Sequence, residues 1–212
     1  MNPSKPRDPG PEDRRGGQGA GLERAALLVI DMQNDFLPGG ALPVPGGDRT
    51  IPVVNAAIAR FEAAGRPVYA SRDWHPPDST HFAAFGGRWP VHCVAGSPGA
   101  EFHSQLRLPA DAIVVSAGKG RTEDGYSAFE GTTPEGRPLA DDLRDRGIEE
   151  VHVCGLATDY CVRASVLDAC AEGLDVTVLL DGIAGIGAED SRRALAEIQE
   201  AGATLGDGES EI

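Results

Sequence analysis

Glu150-Val151-His152-Val153-Cys154-Gly155 is followed at once by Leu156-Ala157-Thr158-Asp159-Tyr160-Cys161-Val162, and this junction sets the fold class. Its first half is a short, mostly apolar run, as expected of a strand covered on both faces. In its second half Thr158 can cap a helix that turns Val162, Val166 and Ala169 inward and ends at Gly173. A strand that runs straight into a helix is the unit from which parallel sheets are built.

The same alternation spreads outward in both directions. Apolar runs predict strands at 25–30, ending at Asp31; at 67–71, ending before Asp73; at 112–116, ending before Lys119; and at 175–180. Between them, Thr50 can cap a helix with Ile51, Val54, Ile58 and Phe61 on one face, Pro52 in its first turn and Gly65 at its close. Further helices are predicted over 139–146, stopped by Gly147, and over 188–201. The expectation is an α/β protein: a single three-layer domain over residues 23–206, with a parallel sheet and helices on both faces. Residues 1–22, rich in proline, glycine and charge, read as a disordered tail, and 207–212 as a short flexible one.

Composition narrows the function. The 212 residues carry a net charge of -14, which argues against nucleic acid as a partner, since phosphate binding needs a basic face. No apolar run approaches a membrane span, and the N-terminus lacks the apolar core of a signal peptide. The four cysteines (Cys93, Cys154, Cys161, Cys170) follow no secreted-scaffold spacing, so the expectation is reduced thiols in a cytoplasmic protein.

Ligands of such sheets bind beyond the carboxyl ends of the strands. Asp31, Asp73, Lys119 and Cys161 all fall at that edge. With Thr158 as cap, Cys161 sits in the first turn of its helix, where the dipole favours a thiolate and free backbone N–H groups can form an oxyanion hole. Asp31 can accept the thiol proton, and Lys119 can hold both by its charge. A free cysteine is more often an inert small hydrophobe, the reading that suits Cys154, Cys170 and Cys93.

The connection from about 73 to 110 is too long for a bare turn. It carries Asp73, His75, His81 and His92, a carboxylate and imidazoles of the kind that hold a divalent metal; a polar surface loop is the plain alternative. Of eleven aromatic residues nine lie in connecting segments, which favours a flat apolar pocket for a planar ring, or a satellite core beneath the long loop.

Taken in order, Asp31-Met32-Gln33-Asn34-Asp35-Phe36, Asp73-Trp74-His75 with His81, Trp89-Pro90-Val91-His92-Cys93, Lys119-Gly120, Tyr126-Ser127-Ala128-Phe129-Glu130-Gly131 and Ala157-Thr158-Asp159-Tyr160-Cys161-Val162 resemble the nicotinamidase/pyrazinamidase group of the isochorismatase-like cysteine hydrolases. The resemblance spans about Ala25 to Leu205. It implies a mostly six-stranded parallel sheet and a catalytic triad of Asp31, Lys119 and Cys161. It implies one divalent ion (zinc, iron or manganese) on Asp73, His75, His81 and His92, and oxyanion donors at Ala157 and Cys161. It also implies a ring pocket of Phe36, Trp89, Tyr126 and Tyr160, and a cis peptide between Leu156 and Ala157. The N-terminal extension is no part of the family pattern.

The activity so implied is hydrolysis of nicotinamide to nicotinate and ammonia through a Cys161 thioester, within NAD salvage, with pyrazinamide as a second substrate. The pyridine nitrogen would sit on the metal. The expected state is a monomer or small homo-oligomer. The rivals are a metal-independent isochorismatase or carbamoyl-type hydrolase, a hydrolase using metal-bound water, and a non-catalytic binding protein on the same fold.

Overall fold

The computed structural model describes residues 22–207, so the expected tails lie outside the described residues apart from Leu22 and Asp207. Six strands form one wholly parallel sheet: β1 (Ala25–Ile30), β2 (Val68–Asp73), β3 (Ile113–Ala117), β4 (Glu150–Leu156), β5 (Asp175–Ala184) and β6 (Thr204–Gly206). Their spatial order is β3-β2-β1-β4-β5-β6. The chain therefore winds outward in both directions from β1 and β4, and the crevice between these two is where such sheets take their ligands.

The strands are apolar on both faces because both are covered. Ala25, Leu27 and Val29 of β1 enter one core, and Ala26, Leu28 and Ile30 the other. The first core is closed by α1 (Gly47–Ala63), which contributes Ile51, Val54, Ile58 and Phe61. The second is closed by α2 (Leu139–Asp145), α3 (Arg163–Ala171) and α4 (Ala188–Glu200). Each large aliphatic side chain so buried stabilises the fold by about 1.5–3 kcal/mol.

Between β2 and β3 there are only two single-turn 3-10 helices, Ala83–Phe85 and Pro98–Ala100, and no α-helix. Trp74, Cys93, Ala100, Phe102, Leu106 and Leu108 of the long connection pack instead against the core that α1 covers. The connection thus does a helix's work of covering the sheet while it displays polar groups above it.

Two expected caps are not formed. Helix α1 starts three residues before Thr50, after Gly46 in the left-handed region (φ 75°); the Thr50 hydroxyl donates back to the Gly47 carbonyl at 2.7 Å, and Pro52 lies inside the helix. At the other site, Thr158 opens a wide turn, Thr158–Val162, that precedes α3, and Ala157 occupies the cap position with no side-chain cap bond. There Val162 N–H donates to Ala157 O at 3.1 Å, one residue further back than in an α-helix. β6, too short to carry an apolar run of its own, is formed by pairing with β5.

Candidate active site

Asp31 directly follows β1, and Cys161 lies in the wide turn after β4, so the two strands at the switch point deliver them to one place. Gly155 (φ 114°) permits this closeness: a Cβ there would stand 2.1 Å from the Ile30 carbonyl oxygen. Both side chains are buried, and they lie close enough for each to shift the ionisation of the other. Burial first, and then the charge of Asp73, pushes the Asp31 carboxyl well above its ordinary range, while the Ser71 hydroxyl and the Cys161 thiol pull it back. Burial likewise pushes the Cys161 thiol up, followed by the negative charges of Asp31 and Asp73. The backbone at Ala157 works the other way and favours the thiolate. The helix dipole that favours a thiolate is thus opposed here, first by burial and then by two neighbouring carboxylates, so the thiol needs the base that the sequence places at Asp31. The Leu156–Ala157 peptide is cis.

Asp73 ends β2. Beside it the long connection brings His75, His81 and His92 together, all buried, with their candidate ligand nitrogens within 4.8 Å of one another. Asp73 Oδ2 lies 3.5 Å from His75 Nε2 and 3.7 Å from His92 Nε2. Each imidazole is held by its other nitrogen: His75 Nδ1 against the Gly118 carbonyl at 3.1 Å, His81 Nδ1 against Asp124 Oδ1 at 3.0 Å, and His92 Nδ1 against the Pro90 carbonyl at 2.8 Å. An acceptor on Nδ1 fixes the tautomer that leaves Nε2 as a lone-pair donor, the outer arrangement of metal-bound histidines. Gly118 (φ 64°) must be glycine, since a Cβ would stand 2.5 Å from the His75 ring.

Asp73 Oδ1 and His75 Nε2 are buried and make no hydrogen bond with any described residue. Unpartnered polar atoms inside a protein are costly. A divalent cation answers both, and three imidazoles with one carboxylate suit zinc, iron or manganese. Burial holds His81 below its ordinary value, against the pull of Asp124, so it rests as the neutral ligand form. Burial pushes the Asp73 carboxyl up, but the nearby His75 and His92 imidazoles outweigh it and hold the carboxyl below its usual range.

Phe36, Leu42, Val44, Trp89, Tyr126, Tyr160 and Ile186 wall a narrow pocket whose floor is Asp73, His81, His92, Ala157 and Cys161. Trp89 Nε1 donates to the Tyr126 hydroxyl at 2.8 Å, and the Trp89 and Tyr160 rings meet edge to face at 5.0 Å. Phe82, fully buried, packs 5.5 Å from both His75 and His92. The crowded aromatics divide: Phe36, Trp89, Tyr126 and Tyr160 line the pocket, while Trp74, Phe102 and Phe129 pack against the two main cores rather than forming a satellite core of their own.

The structure brings together eleven of the expected residues but not Lys119. That side chain is exposed, and its ammonium donates to Thr132 Oγ1 at 2.5 Å, with no hydrogen bond or ion pair to Asp31 or Cys161 among the described residues. Ser71, which does bond Asp31, was not singled out by the sequence, because a serine at a strand end carries no pattern of its own. The same holds for Asp124, an exposed acid on a loop, and for Leu42 and Val44, apolar residues in a turn-rich segment.

The isochorismatase domain family matches residues 25–210. The chain is 43% identical to the nicotinamidase of Escherichia coli over 198 residues, covering 85% of this chain and 93% of that protein. It is 41% identical to the nicotinamidase/pyrazinamidase of Mycobacterium tuberculosis over 184 residues, covering 85% and 97%. Among solved structures, the pyrazinamidase of Pyrococcus horikoshii in complex with zinc superposes with a TM-score of 0.81 at 46% identity, covering 87% of this chain and 99% of that one.

Proposed function

Because this chain belongs to the isochorismatase domain family, we propose that it is an amidohydrolase that converts nicotinamide to nicotinate and ammonia, and that pyrazinamide is deamidated at the same site. The observation that carries this reading is the buried Cys161 thiol, beside the buried Asp31 carboxyl, on the floor of an aromatic-walled pocket that also bears imidazoles. A nucleophile with its own base favours attack by sulfur.

The flat ring of the substrate is held among Phe36, Trp89, Tyr126 and Tyr160. Asp73, His75, His81 and His92 would hold the divalent ion, which would supply a Lewis acid for the ring nitrogen's lone pair and offset the charge of Asp73. Asp31, its basicity raised by burial, takes the Cys161 proton as sulfur attacks the carboxamide carbon. Backbone N–H groups of Ala157 and Cys161 receive the oxyanion. The carbon–nitrogen bond then breaks, Asp31 returns the proton to the departing ammonia, and a thioester remains on Cys161. Water adds to the thioester with Asp31 again taking a proton. Nicotinate leaves, and the proton goes back to the thiol. The product suits re-use in pyridine nucleotide salvage.

Lys119 belongs to this scheme through its place in the loop. It follows Gly118, whose carbonyl holds His75. Two buried carboxylates and a developing thiolate call for a cation, and its flexible stem allows it to exchange Thr132 for Asp31 when substrate fills the pocket.

The test is ammonia release from nicotinamide by the purified protein, with rapidly quenched samples weighed intact. Turnover with a nicotinoyl adduct that vanishes in Cys161→Ala is the expected result. Turnover without an adduct, or with Cys161→Ala near native, sinks the thioester route.

A further inference from the structure

Asp31 is held in an unusual way. Its backbone lies in the left-handed region (φ 46°), which a non-glycine residue occupies only when its surroundings fix it there. Ser71, two residues before the end of β2, supplies that fixing from the neighbouring strand. Its hydroxyl donates to Asp31 Oδ1 at 2.6 Å, and the same oxygen accepts the Asp31 backbone N–H at 3.2 Å. A hydroxyl has one proton and two lone pairs. Here the proton and one lone pair are both spent on a single residue, one securing its carboxylate and the other its main chain.

The placement follows from strand parity. Tyr69 and Ser71 share one face of β2, and Tyr69 enters the core to which Cys161 belongs. Ser71 is buried, so water does not compete for Oδ1, and the 2.6 Å separation is that of a hydroxyl donating to a charged acceptor. Among the described residues, Ser71 is the side chain whose hydrogen bond holds the Asp31 carboxylate; the Lys119 ammonium is bonded to Thr132 instead. Without Ser71 the carboxylate is free to turn about its Cβ–Cγ bond and loses its aim at the thiol.

We infer that Ser71 is the positioning residue for Asp31, fixing the carboxylate in the orientation in which it meets the Cys161 thiol. The inference rests on Asp31 being the base of the proposed hydrolysis. Ser71 touches neither pocket nor substrate, so it acts on the chemical steps and leaves ring binding alone.

The experiment compares Ser71→Ala and Ser71→Thr with the native protein for nicotinamide turnover, bound metal and thermal midpoint, with Asp31→Asn alongside. For Ser71→Ala the expected result is a kcat lowered about tenfold to a hundredfold, the cost of a misaimed catalytic group, with KM and metal content unchanged. Ser71→Thr, which keeps the hydroxyl, restores most of that kcat. The inference is overturned if Ser71→Ala keeps native kcat, if KM rises or metal content falls together with the loss of kcat, or if the threonine variant loses as much as the alanine one. Should Ser71→Ala not fold, Ser71→Cys replaces it, close in volume and a weaker donor, and the same outcomes apply. An active Asp31→Asn fails the base reading itself, which separates that failure from one confined to Ser71.

Discussion

Gln33 and Asp73 are joined like neighbouring strands of a sheet. Gln33 Nε2 donates to the Asp73 carbonyl at 2.8 Å, and the Asp73 N–H donates to Gln33 Oε1 at 2.9 Å. A third bond from Nε2 reaches the Ala100 carbonyl at 2.9 Å, so the fully buried amide ties the end of β1, the end of β2 and the long connection together. The residue expected to bring a carboxylate to the metal is therefore placed by a side chain two residues beyond the base.

That junction gives the first prediction. Gln33→Ala leaves two Asp73 backbone groups unpaired and loosens the ligand set, so zinc affinity falls about tenfold to a hundredfold, as for other outer partners of metal ligands. Competition against a chromogenic chelator reads this directly. A chelator-stripped native protein should lose nicotinamide turnover and regain it on adding back zinc, iron or manganese; full turnover by a protein shown to be metal-free contradicts the assignment of Asp73, His75, His81 and His92.

Lys119 supplies the second. If its ammonium moves from Thr132 to the buried carboxylates on substrate binding, Lys119→Ala lowers kcat about a hundredfold or more, on the scale of losing an electrostatic partner in a closed site. Thr132→Val, which removes only the resting partner, leaves kcat within about threefold, a change near 0.6 kcal/mol. Steady-state ammonia release decides between this and an exposed lysine that does nothing, for which both variants behave like the native chain.

Trp89 carries the third. Its ring braces Tyr160, and its N–H holds the Tyr126 hydroxyl, so one side chain organises three walls of the pocket. Trp89→Ala should raise KM for nicotinamide about tenfold, since an aromatic contact is worth about 0.5–1.5 kcal/mol beyond its buried area. An unchanged KM would remove Trp89 from the ring pocket.

The fourth concerns pH and lies far from the site. Asp142 is buried; burial alone would raise its carboxyl, but hydrogen bonds from Tyr69 at 2.7 Å and Arg146 at 2.7 Å, with the charges of Arg146 and Arg137, hold it below the usual range. A lowered folded-state value means the contribution is complete above the unfolded value near 3.9 and is lost as pH falls through the folded one. Urea melts of the native protein and Asp142→Asn should differ by about 1.5–3 kcal/mol at neutral pH. The gap should close as the solution is acidified below about pH 4. A gap that persists unchanged in acid would show that charge at Asp142 is not what stabilises this corner.

The sequence by itself determined the parallel α/β architecture, because apolar runs of strand length between helix-length periodic segments leave few other ways to bury both faces. It also marked the ends of β1, β2 and β4, and hence Asp31, Asp73 and Cys161, since reactive side chains placed just past apolar runs must share one edge. The spacing of His75, His81 and His92 showed a metal-capable segment, and the aromatics outside the core elements showed a pocket. Only the tertiary structure decided how these groups are held. Ser71 meets Asp31 across 40 positions, Gln33 meets Asp73 across another 40, and His81 meets Asp124 across 43. Such contacts depend on strand register and loop path, which no local periodicity encodes. The wide turn at Cys161, the unfavourable setting of its thiol and the exposed place of Lys119 are likewise products of packing, because burial and neighbouring charge arise only when distant segments close on one another.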